Sequence, residues 1–209
     1  MIQIGVRMAT AGRPRQFDEA QVLESAMLLF WEQGYESTSL AQLRGATGLS
    51  SASVYNAFGS KEGLFERAIA HYVARPGSVQ SLTANEDASP RDVLAHLLHT
   101  SVDTQADPTH PGGCLIALAA TVIPSEVGSQ PAMIVAAQRR RDQHAIRKCV
   151  ERAASAGALP QQTPVEALTV LIHTFILGLS IQVRDGVPTS QLHEAADALL
   201  TVCGVPQPE

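Results

Sequence analysis

The run Thr38-Ser39-Leu40-Ala41-Gln42-Leu43-Arg44-Gly45-Ala46-Thr47-Gly48-Leu49-Ser50-Ser51-Ala52-Ser53-Val54-Tyr55-Asn56-Ala57-Phe58-Gly59-Ser60-Lys61 decides the fold. Ser37, Thr38 and Ser39 offer hydroxyl caps for a short helix that carries Leu40 and Leu43 and stops near Gly48. Ser50 or Ser51 then caps a second short helix through Val54, Tyr55 and Phe58. Two short helices joined by a tight glycine-containing turn predict a helix-turn-helix, whose second helix can enter a major groove.

Reading outward, Asp18 is a fitting N-cap for a helix with Val22, Ala26, Leu29 and Phe30 at helical spacing, ended by Gly34. On the other side, Gly59-Ser60-Lys61-Glu62 opens a longer helix with Leu64, Phe65, Ala68, Ile69 and Tyr72 along one side. Residues 75–87 hold Pro, Gly, Ser and Asn and read as a break. Beyond it, periodicity and Gly/Pro punctuation predict helices at 90–105, 113–123, 130–156, 165–185 and 191–203. The division expected is an arm over 1–16, a helix-turn-helix unit over 17–64 and a helical bundle over 65–209.

Composition agrees with an all-α fold. The chain has 209 residues, 45% hydrophobic and only 4% aromatic, with recurrent alanine, a balance that favours helices over strands. Its longest charge-free stretches, 108–125 and 167–183, are broken by Thr, Ser, His, Gly or Pro and do not read as membrane spans. The N-terminus lacks the apolar centre of a signal peptide, and the 3 cysteines, Cys114, Cys149 and Cys203, are widely spaced without a Cys-x-x-Cys pair. A reducing cytoplasm and no zinc framework are expected. Net charge is -5, the wrong sign for indiscriminate nucleic-acid binding, but residues 1–75 are charge-balanced and the acidic surplus lies wholly after them.

The segment Thr38–Leu43, then Ala46–Ser50, then Ser53–Leu64, preceded by Phe30-x-x-x-Gly34-Tyr35-x-x-Thr38, resembles the DNA-binding domain of the tetracycline-repressor (TetR) family. That resemblance implies a cytoplasmic, all-helical homodimer in which three N-terminal helices bind a palindromic double-stranded operator. A variable C-terminal bundle would bind a small-molecule effector that releases the repressor. The chain departs from many members at Asn56 and Ala57, where they carry an aromatic residue or histidine, so no operator sequence is carried over.

Residue chemistry assigns roles within this frame. Thr38 and Ser39 at a helix N-terminus suit a phosphate. Ser51, Ala52, Ser53 and Asn56 are short enough to bring the second helix onto base edges, Asn pairing with adenine and Ala meeting a thymine methyl. Tyr55 and Lys61 reach phosphate, and Arg13 and Arg15 make a basic arm for phosphate or minor groove. Gln42 contacts backbone or base by the resemblance alone. Val54 and Phe58 are core.

In the bundle, the helix at 165–185 is apolar around most of its circumference and so needs two partners. Val170, Leu177 and Ile181, with Leu192, Ala196 and Leu199 of the last helix, are expected to form a homodimer seam. Leu97, Cys114, Leu118, Met133, Phe175 and Leu179 are candidates to line an effector pocket. Cys114 at a helix start would have a lowered thiol pKa, which leaves a thiol-responsive repressor open. His96, His99, His110 and Cys114 lack metal-ligand spacing, so no metal or cofactor is expected, while a copper- or zinc-responsive repressor sensing through Cys114 stands as an alternative. Arg139-Arg140-Arg141, with Asp142 alongside, reads as a solvated face. No phosphate loop, His-Glu-x-x-His or Gly-x-Ser-x-Gly is present, so no enzyme is expected. The remaining rival is a helical ligand-binding module that does not read DNA.

Overall fold

The computed structural model describes residues 17–85, 88–119 and 129–204, and every regular element in them is helical. The order is α1 Glu19–Gln33, α2 Leu40–Thr47, α3 Ser51–Phe58, α4 Lys61–Val73, α5 Val79–Thr83, α6 Pro90–Ala106, α7 Leu115–Leu118, α8 Gln130–Ser155, α9 Val165–Arg184 and α10 Thr189–Val202. The expected elements are present within a residue or two at most ends. Two differ. The break at 75–87 contains α5, a short helix capped by Ser78 that the glycine and proline around it concealed. The helix expected over 113–123 begins at Leu115 as α7, and 120–123 lie outside the described residues, as do 1–16.

Local chemistry sets the boundaries of the N-terminal helices. Asp18 accepts from the amides of Ala20 and Gln21, Ser50 from Ser53 and Ser60 from Gly63. Gly48 ends α2 at φ 68°, a left-handed turn that lets α3 leave at an angle.

One apolar core gathers Met27, Phe30 and Trp31 of α1, Leu43 of α2, Val54 of α3 and Leu64, Phe65, Ala68 and Ile69 of α4. Leu115 and Ile116 of α7 and Val135 of α8 lie in this same core. The expected boundary at residue 64 therefore falls inside α4, whose C-terminal half packs on both sides. A second core joins α5, α6, α8, α9 and α10 around Leu94, Leu97, Leu98, Ile146, Val150 and Ile172.

A buried polar cluster stitches the junction. Ser180 Oγ donates to Gln105 Oε1 at 2.8 Å and accepts from the Cys114 amide at 3.1 Å, while Gln105 Nε2 donates to the Ile176 carbonyl at 2.9 Å. Gly113 is required here: it has φ 83°, and an added Cβ would lie 3.1 Å from Ser180 Cα.

Three bundle expectations are corrected. Leu192 and Ala196 are buried within their own protomer, where α10 packs on α6, and Leu199 packs on the same core, so this stripe is not available to a twin. The exposed apolar surface lies on α9, where Val170 is 50% and Ile181 50% exposed, with Leu177 half-buried. The arginine run is not uniformly solvated, because half-buried Arg139 donates to the Ile116 carbonyl. Asp142 is buried and accepts from Gln138 Nε2 at 2.8 Å.

Burial pushes the Asp142 carboxyl up from 3.8 to about 6, against the hydrogen bonds of Gln138 and Gln80 and the charge of Arg141. The folded state thus binds this proton more tightly than the unfolded chain, and stability is lost as pH rises from about 4 to 6. Asp142→Asn keeps an acceptor without the charge. It is expected to raise unfolding free energy at pH 7 by about 2–3 kcal/mol and by under about 1 kcal/mol at pH 4, measured by urea denaturation.

Candidate nucleic-acid interface

The surface formed by α2 and α3 is built by capping. Ser39 begins α2 in a reciprocal capping box: its hydroxyl accepts from the Gln42 amide at 3.2 Å, and Gln42 Oε1 accepts from the Ser39 amide at 2.8 Å. Gln42 Nε2 also donates to Gln33 Oε1 at 2.7 Å, fixing this side chain between α1 and α2. Both Ser39 and Gln42 remain exposed.

Thr38 is different. It is fully buried, and its hydroxyl donates to the Gly34 carbonyl at 2.7 Å. The expected phosphate contact from its side chain is therefore corrected: Thr38 ties the end of α1 to the start of α2. Adjacent hydroxyls gave the sequence no means of telling the outward cap from the inward tie.

On α3, Val54 faces the core at 1% exposure and Phe58 packs against it, while Ala52, Tyr55, Asn56 and Ala57 are exposed. Tyr55, 49% exposed, is not a core residue. Ser51 and Ser53 are half-buried, and Ser53 Oγ lies 2.9 Å from Ser50 Oγ at the first turn. The outward row is thus a phenol, an amide and two methyl groups, which leaves the helix backbone close to its surface.

Lys61 begins α4 with its ammonium 4.1 Å from the centroid of the Tyr35 ring. Desolvation pulls its pKa below the usual lysine range, against the nearby charges of Glu36 and Glu62. The Tyr35 hydroxyl donates to Glu62 Oε1 at 2.7 Å, and this bond leads the causes that hold the Glu62 carboxyl below its ordinary value. The same burial and hydrogen bond raise the Tyr35 pKa. Lys61 is consequently a positioned charge on an aromatic platform. Arg13 and Arg15 lie outside the described residues, but the chain enters at Phe17, whose ring is 6.3 Å from that of Phe58 at the end of α3.

Sequence reasoning missed Arg44, exposed in the last turn of α2 beside Gly45, Gly48 and Ser50. Its signal was available, since it is the one cation between Thr38 and Ser60. It also missed Tyr35 as the support beneath Lys61.

The six candidate effector residues do not converge. Leu97 and Leu179 are fully packed in separate clusters, with Phe175 half-buried between them. Leu118 borders a cavity of about 470 Å³ with Arg139, Thr174, Gly178 and Ile181, and Met133 borders a groove of about 830 Å³ between α4 and α8. Cys114 accepts a hydrogen bond from the Tyr72 hydroxyl at 3.3 Å, and burial pushes its thiol pKa up. That overturns the expected lowering: α7 is one turn long and its start is buried, so desolvation outweighs the helix end.

The chain matches the family model described as bacterial regulatory proteins, tetR family, over residues 22–68. It is 28% identical over 190 residues to the HTH-type transcriptional repressor ComR of Escherichia coli, covering 90% of each chain. The solved structure of a cysteine mutant of the TetR family regulator CifR, complexed with 26-bp double-strand operator DNA, superposes with a TM-score of 0.83. The two are 34% identical, over 92% of this chain and 100% of that one. With the capped α2–α3 pair and its exposed row in place, this chain belongs to the TetR family of bacterial transcriptional regulators.

Proposed function

We propose that the protein is a homodimeric transcriptional repressor that reads a palindromic operator with α3 and is released by a small-molecule effector. The carrying observation is the exposed row Ala52, Tyr55, Asn56 and Ala57 on a short helix fixed at both ends. Asn56 offers a bidentate partner for adenine, and Ala52 a methyl contact for thymine. Ser53 faces the same groove from the first turn. Ser51 and Ser39 present helix-start hydroxyls, and Tyr55, Arg44 and Lys61 reach phosphates. Gln42, held by Ser39 and Gln33, keeps α2 in register. Arg13 and Arg15, outside the described residues, are proposed on residue type to meet phosphate or the adjacent minor groove.

Two copies are required for a palindrome, with reading helices one DNA turn, roughly 34–36 Å, apart. The face that supports the second copy is the exposed stripe Val170, Leu171, Thr174, Gly178 and Ile181 of α9. Nothing lies within 4 Å of where a Gly178 Cβ would sit, so a partner helix can approach closely there. α10 also leaves Ala195, Ala198 and Val202 exposed.

The α4–α8 groove suits an effector because Ile69 and Val73 on one wall belong to the helix that carries the reading unit, while Met133 and Ile134 form the other. A ligand seated there acts by preferring the α4 position that misplaces α3, and a change from 99:1 to 1:99 needs about 5.5 kcal/mol of preference. A repressor of this kind works in the cytoplasm and catalyses nothing.

Selection from random 26-bp duplexes is expected to enrich a palindrome. On it, Asn56→Ala is expected to relax one base position by about 1–3 kcal/mol, read by fluorescence anisotropy. Arg44→Ala should weaken all sequences alike and flatten the log–log salt slope by about two per dimer. Failure to enrich any symmetric site would favour a module that does not read DNA.

Sedimentation velocity tests the twin surface. Ile181→Asp, with Val170→Asp, is expected to give folded monomers that bind the operator at least 100-fold more weakly. Leu192→Asp should instead lower the melting temperature, since its side chain is inside the protomer.

A further inference from the structure

His99 of α6 and His193 of α10 form a pair that DNA reading does not use. Their Nδ1 atoms are 2.9 Å apart, and the rings lie within 18° of parallel with centroids 5.1 Å apart, so they meet edge to edge with nitrogen facing nitrogen. On the outer sides, His193 Nε2 is 2.8 Å from Asp103 Oδ1 and His99 Nε2 is 3.0 Å from Asp197 Oδ1. An ionised carboxylate only accepts, so each Nε2 donates. With both Nε2 atoms donating outward, the two Nδ1 atoms face one another across the 2.9 Å contact. Such a contact is held by a cation between the two nitrogens, either one shared proton or one metal ion.

A ring nitrogen on a metal, with the opposite N–H given to a carboxylate, is a recurrent arrangement that fixes the tautomer and strengthens the ligand. Both rings here have that backing. We propose that His99 and His193 bind one divalent transition-metal ion of the Zn²⁺ type through their Nδ1 atoms, with Asp103 and Asp197 as outer hydrogen-bond partners and water completing the coordination. Two nitrogens at adjacent corners of a zinc tetrahedron, each about 2.0–2.1 Å from the ion, lie roughly 3.3 Å apart, so the 2.9 Å pair must open by a few tenths of an ångström and turn both nitrogens to one side. The histidine side chains are 34% and 30% exposed, which leaves room for each ring to tilt its Nδ1 toward the ion. Entry of the metal displaces any proton shared by the rings. The ion would staple α10 to α6 behind the surface offered to the second copy.

The ligands are 94 residues apart, which is why spacing concealed them. The groups that sequence placed with His99 lie elsewhere: His96 pairs with Thr100, His110 stacks on Trp31 and Cys114 meets Tyr72. No set of three or more metal-ligating side chains is gathered among the described residues, so water must supply the other positions.

The test is calorimetric titration of the metal-free full-length protein with ZnCl2, paired with thermal unfolding. One ion per chain and a Tm increase reversed by EDTA are expected. His99→Gln and His193→Gln should each weaken binding at least 10-fold and remove the increase, and Asp103→Asn should weaken it about 10-fold. Should a glutamine variant fail to fold by circular dichroism, Asp103→Asn with Asp197→Asn replaces it, leaving both rings in place. Absence of zinc binding, or equal binding by parent and variants, overturns the proposal. So does a pH-dependent stability lost in His193→Gln while zinc leaves the parent Tm unmoved, which would assign the bridge to a shared proton.

Discussion

The burial of Leu115, Ile116 and Val135 in the same apolar core as Phe30, Trp31 and Phe65 is the constraint on which the rest of this molecule depends. A short helix such as α3 cannot sustain itself in water and owes its position to tertiary packing. That packing comes from α4, which packs on α1; α7 packs on both, and α8 packs on α4. The reading surface therefore has no independent foundation. Any displacement of the first turns of α8, or of the Gly113–Ser180 contact beneath α7, changes the floor on which α1 and α4 rest.

Polar groups at the junction make this coupling directional. Arg184, the last residue of α9, donates to the Gly112 carbonyl at 3.2 Å and the Trp31 carbonyl at 3.0 Å. It thus joins the C-terminus of the helix with the exposed apolar stripe to the C-terminal half of α1. Trp31 is held in addition by an edge-on contact with Tyr72 and by stacking on His110. Rotation of α9 at its outer face pulls on a backbone carbonyl of the reading unit. Packed interfaces of this kind shift between discrete arrangements rather than deform smoothly.

Much of the N-terminal unit is legible because its signals are local. A serine three residues before a glutamine, a glycine after each helix and an apolar period each depend on a few neighbours, and Ser39–Gln42, Gly48 and Val54 behave as those rules require. What was not legible depends on partners distant in sequence. Thr38 and Ser39 are chemically alike, and only the position of the Gly34 carbonyl separates them. Leu192 and Ala196 form a genuine stripe, but periodicity gives a face without saying what covers it, and α6 does. Asp142 beside three arginines reads as a charge in water, yet Gln138 and Gln80 enclose it. The pocket residues suffered most, since six side chains on or at the start of four helices are distributed among cores and grooves by topology alone.

Charge poses the last question, since a chain of net charge -5 must hold a polyanion. Within the described reading surface only Arg44 and Lys61 supply cations, and Lys61 rests on Tyr35 rather than extending freely. Counterion release scales with the number of phosphates neutralised, so these two described cations contribute only a small electrostatic share per protomer. On the proposed reading, oriented neutral donors add to it, the helix-start amides and hydroxyls at Ser39 and Ser50 and the Tyr55 phenol, which act only when the duplex is seated in register. On that reading, non-specific DNA is bound weakly, because the described cations neutralise few phosphates. Weak background binding also means that a modest displacement of α3 frees the protein, so a small positive surface is a requirement of release as much as a limit on grip.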